Sequence, residues 1–472
     1  GTQSAPCAGC NIVGYRDADG SPWTASSSYP GFFKRKIYNG QAKLSHDFGN
    51  ITLTSLSDYL EINKSFQYDV DGAPAQFFVY GTTQRYRQFS QELRLNGTTD
   101  RLKWVAGLYY LNMYGDYGST VDLDLAPYVG APPCIGTSCA LGGTVPAHFE
   151  TDYVLKTDSF AAFVQGDYEL TDQLSAIAGV RYTRDKKTYD YAFSNNPVIQ
   201  PPFTYNSSNN PAADRSFKNI SAKVELDWKP DPATLVYASI TRGHKGGNWT
   251  APVFPPIFPN TFAHKQEVLT SYEIGLKKRF MNGAVTFNAS AFYYDYKDYQ
   301  AFSLINIAQS IFNVDATVYG GEAELKLAPL QGLELGLAAA TVRSKVKGIV
   351  LPNGSSVNRD LPNTPKIGLS GLSRYSWSML GGTVAAQASG QYKSGYYLTV
   401  LNEAANREKR WATLDLRLSW TTADDRLELA VYGDNVTSTR YRVWALDVSA
   451  LSLGMQVYAP PATYGASVRY KL

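Results

Sequence analysis

Apolar and polar residues alternate one by one along most of this chain. Tyr272, Ile274 and Leu276 alternate with Glu273, Gly275 and Lys277. After a short turn, Val285, Phe287, Ala289, Ala291 and Tyr293 alternate with Thr286, Asn288 and Ser290. The same reading holds for Ile220, Ala222, Val224, Leu226 and Trp228, and for Leu414, Leu416, Leu418 and Trp420. Leu333, Leu335 and Leu337 repeat it around Glu334 and Gly336. Successive strand side chains point to opposite faces, so each stretch is a strand with one apolar and one polar face. The pattern predicts about seventeen strands, many roughly 12–20 residues long, where a globular strand has about 5–6. No stretch carries a convincing helical period.

The connections alternate as well. Short turns are "DFGN" (47–50), "NGTTD" (96–100), "LTDQ" (170–173), "KPDPA" (229–233), "MNGA" (281–284), "PLQG" (329–332), "MLGG" (379–382) and "TADD" (422–425). Between them lie mostly longer loops at 118–150, 193–215, 249–268, 348–366, 400–411 and 442–463. Tight turns at one end and long loops at the other are the rule of an outer-membrane barrel. A closed barrel also pairs every backbone group without an edge, as lipid demands. A soluble β-sandwich would explain the alternation, but not such long strands, nor polar residues on a face that should be core. The expected fold is all-β, a transmembrane antiparallel up-and-down β-barrel. Strands exceeding the roughly 9–11 residues that span a bilayer should project beyond it.

If the short turns are periplasmic, the first strand, near 36–48, runs inward. Residues 1–35 are then an extracellular loop segment, and 36–472 the barrel. An odd count with an external beginning departs from the even count of complete bacterial barrels. The expectation is that more strands precede Gly1.

Composition refines this picture. The 472 residues are 44% hydrophobic and 13% aromatic, with 34 Tyr, and the net charge is +3 without a long run of either sign. A nucleic-acid partner, which normally shows as a basic stripe, is not expected. No segment approaches the roughly 18 consecutive apolar residues of a membrane helix, which says nothing against membrane strands.

Four stretches resemble the barrel of TonB-dependent outer-membrane receptors. They are "SYEIGLKKRFMNGAVTFNASAFYYDYKDYQ" (271–300), "VYASITRGHKGGNW" (236–249), "LAVYGDNVTSTRYR" (429–442) and "PATYGASVRYKL" (461–472). The chain ends on Leu472, where that family commonly has Phe. The resemblance implies a 22-stranded barrel plugged by an N-terminal domain, of which this chain is about the last seventeen strands. It further implies a receptor that binds a scarce solute at its external loops, by default a ferric siderophore, and imports it. The energy would come through TonB with ExbB–ExbD, acting on a plug and TonB box upstream of Gly1. The setting implied is the Gram-negative outer membrane, with outer-membrane lipid around the wall and no cofactor. The alternatives are a passive porin-like channel and a structural or adhesion barrel.

Candidate site residues follow from the loops. "CAGC" (Cys7, Cys10) and "CIGTSC" (Cys134, Cys139) fall in external loops, where the compartment is oxidising, so two disulfides within the loops are expected. Zinc is the weaker alternative, because "CIGTSC" fits its ligand spacing poorly. In the proline-rich loop 248–267, Trp249, Phe254, Phe258 and Phe262 form a dense aromatic set. Exposed aromatics of that density suit a ligand surface, and the competing reading is loop packing. Trp411, Trp444 and Tyr458 flank other external loops and are candidates for the same surface, with an interfacial girdle as the alternative. His46, His148, His244 and His264 are scattered, and neither a G-x-S-x-G nor an H-E-x-x-H motif occurs. An enzyme is not expected, nor is a metal site.

Overall fold

The computed structural model describes residues 15–16, 20–24, 26–74, 77–124, 146–195, 205–206, 213–250, 263–305, 308–351, 354–448 and 453–471. Its main sheet has 19 strands. Two of them, Tyr205–Asn206 and Ser356–Arg359, are short additions at the long-loop end. The others are the seventeen wall strands expected from the alternation, running from Phe32–Asp47 to Thr463–Tyr470. Each is antiparallel to the next wall strand along the chain. The longest, Pro146–Glu169, has 24 residues, and Leu102–Asp124 and Ala308–Leu330 have 23 each, well beyond a bilayer span. The first strand begins at Phe32, within the segment expected to be loop. Among the described residues no pairing joins the first strand to the last, so the wall has two open edges.

Register carries the alternation from strand to strand. Leu226, Ala238, Ile274, Ala291 and Gly321 stand side by side across five strands. One step along, Glu225, Ser239, Glu273 and Phe292 do the same on the opposite face. Leu416 and Leu418 belong to the exposed apolar face, while Arg417 between them reaches Glu428 at 2.7 Å. Large apolar side chains such as Val180, Ile220, Val224, Ile240, Ile274 and Leu337 make that face a continuous exposed band. Exposing such a band to water would cost its transfer free energy.

Close approach fixes two glycines in the wall. A Cβ on Gly275 would overlap the Tyr237 ring, and one on Gly465 the Tyr432 ring. In each case an aromatic of one strand lies over a neighbour's bare backbone. The short turns use left-handed residues, with Asn282 at φ 55° and Gly283 at φ 92° in "MNGA".

Buried apolar clusters sit at the long-loop end, not in a central layer. The largest joins Phe77, Val121, Phe149, Tyr189, Tyr191 and Trp249. A second gathers Ala301, Val346, Ile349 and Val400, and a third Tyr396, Leu398, Trp411 and Ala445.

Candidate functional site

The long-loop end and the polar inner face carry the grouped aromatic and polar side chains of the described residues. At that end the wall strands carry small hairpins. Asn248–Trp249 pairs with Ala263–His264, and Tyr396–Tyr397 with Arg407–Glu408. Arg442–Val448 pairs with Leu453–Tyr458.

The first hairpin is anchored by aromatic stacking. Tyr117 stacks on Tyr153 at 4.7 Å, Tyr153 lies 5.9 Å from Tyr189, and Tyr189 stacks on Trp249 at 5.2 Å and 9°. Trp249 is 7% exposed. Gly247 beside it has no room for a Cβ, which would meet the Phe217 ring and the His264 carbonyl. Arg215 donates from Nη1 to that carbonyl at 2.9 Å. Burial pushes the His264 imidazole down to about 4, against a raising backbone hydrogen bond at Lys265 and with smaller help from the nearby cations, so it is neutral at pH 7.

The third cluster is held by a different device. Trp411 is buried, stacks on Tyr441 at 3.9 Å, and donates from Nε1 to the Tyr396 hydroxyl at 3.4 Å. Arg442 forms an ion pair with Glu408 at 2.7 Å between side chains only 13% and 9% exposed. Its two other nitrogens donate to the carbonyls of Ala405 and Arg407 at 2.7 and 2.5 Å. One guanidinium therefore ties the 400–410 loop to the 442–458 hairpin. Trp444 on that hairpin is 41% exposed, and Tyr458 is half-buried with its hydroxyl 3.1 Å from Gln456.

A third feature is the turn after strand Ile51–Asp69. Asp69 Oδ2 accepts from the Ser28 backbone N–H at 2.9 Å, and Asp71 Oδ2 from that of Phe78 at 2.6 Å. Burial, reinforced by the Asp69 charge, pushes the Asp71 carboxyl up to about 7.

Below these clusters the inner face is polar. Tyr237 donates to Glu273 at 2.6 Å, Lys223 pairs with Glu225 at 3.0 Å, and Asn288 reaches Glu324 at 3.3 Å. A trough of about 630 Å³ opens on it, lined by Tyr237, Lys277, Asn288, Ser290, Glu322 and Gln391 among others. Such a surface presents hydrogen-bond donors and acceptors along the inner face.

The described aromatic candidates stand in separate places. Trp249 is in the first cluster, Trp411 in the third, and Trp444 and Tyr458 on a separate hairpin. Phe254, Phe258 and Phe262 lie outside the described residues, as do Cys7, Cys10, Cys134 and Cys139. Sequence reading missed the Arg442 clasp and the Asp69–Asp71 turn. Arg442 and Glu408 are 34 residues apart and carry no motif. The "DVDG" at 69–72 was the one local signal available for the turn.

Comparison with known proteins decides the family. Residues 9–436 match the family described as TonB dependent receptor-like, beta-barrel. The chain belongs to that family. It is 25% identical over 443 residues to the pesticin receptor of Yersinia pestis, covering 92% of this chain and 58% of that protein. A pesticin receptor of Yersinia enterocolitica is 24% identical over the same length. Among solved structures, the ferric yersiniabactin uptake receptor FyuA of Yersinia pestis aligns with TM-score 0.75 at 19% identity, over 93% of this chain and 62% of FyuA. The siderophore receptor PiuA of Acinetobacter baumannii gives 0.71 at 16% identity, over 93% and 65%. A copper transporter, OprC, gives 0.66 at 16% identity, over 93% and 65%. At these identities the likeness is one of fold, and it does not choose the solute. The chain spans about three fifths of the relatives it matches.

Proposed function

We propose that this chain is the wall of an outer-membrane receptor that captures a ferric siderophore at its long-loop end and imports it with energy transmitted by TonB and ExbB–ExbD. Localisation in the outer membrane of a Gram-negative bacterium, with lipid around the apolar band, belongs to the same reading. The observation that carries it is a TonB-dependent receptor barrel whose inner face is lined with Tyr, Asn, Ser and carboxylates up to a mouth built from aromatic clusters. Pockets of this kind combine apolar area with a few placed polar groups. Of the relatives named above, PiuA is a siderophore receptor by name and FyuA a ferric yersiniabactin uptake receptor, which favours a ferric chelate over other scarce solutes. Phe254, Phe258 and Phe262 are the proposed ligand contacts, on the loop that Trp249 anchors. Disulfides Cys7–Cys10 and Cys134–Cys139 would shape loop tips.

The test is binding by the purified full-length receptor, followed through tryptophan fluorescence, against ferric chelates of differing ligand chemistry. Saturable binding of at least one ferric chelate, and none of hydrated ferric ion, is expected. Binding of no chelate, with the protein folded, would overturn the siderophore reading.

A further inference from the structure

The hairpin that carries Trp249 holds polar atoms without partners. Asn248 and His264 stand opposite each other in its two strands, and Thr250 follows Trp249. His264 Nδ1, Thr250 Oγ1 and Asn248 Oδ1 are buried atoms with no hydrogen-bond partner among the described residues. His264 is only 5% exposed and Thr250 7%. Native structures rarely orphan such atoms, and three on one hairpin point to a group that binds there.

Cations converge on the same hairpin from the wall. Lys187 shares the inner face with Tyr189 and Tyr191, and Arg215 shares it with Phe217. The two are direct neighbours in register. Arg215 lies over the Phe217 ring at 5.1 Å while it donates to the His264 carbonyl. A Cβ on Gly246 would stand 3.5 Å from Lys187 Nζ, so that ammonium lies against the hairpin stem. Lys245 precedes the stem, and the charges of Lys245, Lys187 and Arg215 all act on the His264 ring. Gln300 Nε2 donates to the carbonyls of Gly246 and Lys265, at 3.0 Å each, and so ties both legs of the hairpin together.

Two carboxylates stand close by. Asp185 Oδ2 would be 3.4 Å from the same Gly246 Cβ, and Glu267 is opposite Lys245 in register. Glu267 is engaged elsewhere, accepting from the Gln300 backbone N–H at 2.8 Å. Among the described residues neither forms an ion pair with Lys187, Arg215 or Lys245. Three cations against two carboxylates leave an excess of one positive charge, since His264 is neutral. The joining sequences 191–213 and 246–263 contain no Asp, Glu, Lys or Arg to cancel it. Asp190 and Asp214, just beyond them, fall on the opposite face with Val180 and Ile220.

We propose that Lys187, Arg215 and Lys245, with the orphaned Asn248, Thr250 and His264, form a subsite for an anionic oxygen group of the captured solute, which makes that solute a negatively charged ferric chelate. The proposal rests on the siderophore reading above and adds the charge of the ligand to it. Donors dominate the subsite, as ammonium, guanidinium and hydroxyl groups, and they suit a carboxylate or a similar oxyanion. Trp249 lies between Asn248 and Thr250 in the chain, so its fluorescence reports on occupancy.

The test is binding of a charge-graded set of ferric chelates to the purified full-length receptor, followed through tryptophan fluorescence. The probes are a neutral trihydroxamate, the same trihydroxamate bearing a free carboxylate, a citrate chelate and a tris-catecholate, with inorganic phosphate and acetate as free oxyanions. At least one anionic chelate should bind about ten-fold more tightly than the neutral one, the worth of one charge-assisted hydrogen bond. Lys187→Gln with Arg215→Gln should remove that advantage and leave binding of the neutral chelate as it was. Thr250→Val should weaken anionic binding several-fold while the ligand-free melting temperature holds or rises, because an orphaned hydroxyl costs stability when nothing binds. A merely structural Thr250 would instead lower the melting temperature. If the double variant does not fold by heat-shifted gel mobility, Thr250→Val carries the test. Preference for the neutral chelate, or unchanged anionic affinity in either folded variant, would overturn the subsite and leave the siderophore reading standing. Binding of no chelate would overturn both. Competition by phosphate or acetate at the concentration of the chelate would show an adventitious ion only and overturn the proposal.

Discussion

Arg442 shows how much one side chain does at the mouth. Its guanidinium meets a nearly buried Glu408 and two backbone carbonyls, so removing it leaves a carboxylate without its partner. Breaking such a pair costs about 3–5 kcal/mol. Arg442→Ala should therefore loosen the 400–410 loop, read as faster limited proteolysis there with the wall still resistant to heat. Asp71 makes a pH prediction. Its folded pKa of about 7 lies above its ordinary value of 3.8, so its contribution to the turn is complete below pH 3.8 and is lost as pH rises through 7. Amide exchange across 70–78, corrected for intrinsic rates, should speed up over that window, and Asp71→Asn should flatten the response. Trp249 separates packing from capture. It is buried, so Trp249→Ala should destabilise the outer cluster by about 3–5 kcal/mol. Phe254→Ala with Phe258→Ala should lower ligand affinity and leave the melting curve in place. Equal melting shifts in both variants would contradict that division. The sequence offered both packing and capture for Trp249 and could not choose, because "aromatic in a loop" reads the same whether the ring is stacked on Tyr189 or free. The deciding neighbour is about 60 residues away.

At the scale of the strand, the sequence was nearly sufficient. Alternation located the seventeen wall strands, and their short turns fell where "MNGA", "MLGG" and "TADD" had marked them. The reason is physical: a wall with lipid on one side and a wet interior on the other penalises a one-residue slip along its whole length. Leu416 tests this. It stands on the exposed apolar face between Ala388 and Gly433, while Asp415 and Arg417 turn inward. Leu416→Arg should cost about 2–4 kcal/mol in urea refolding into lipid vesicles if it lies near the midplane. A cost near zero would place that face away from lipid. The elements that alternation could not find are the two-residue hairpins and the Arg442–Val448 pair. Their residues pack from several directions at once, so no period of two survives.

The whole molecule divides its work by height. An apolar band runs along the outward face, a polar inner wall offers hydrogen bonds, and aromatic clusters shape the mouth. In the proposed reading a receptor built on this wall depends on a partner for transport, whereas an open pore would not. The most direct test is uptake of the cognate solute by cells carrying the full-length protein, measured beside surface binding, before and after the proton gradient is collapsed. The account predicts that binding persists and import stops, as it should also when TonB is absent. Import that continues unchanged without the gradient would make this a passive channel and contradict the central claim.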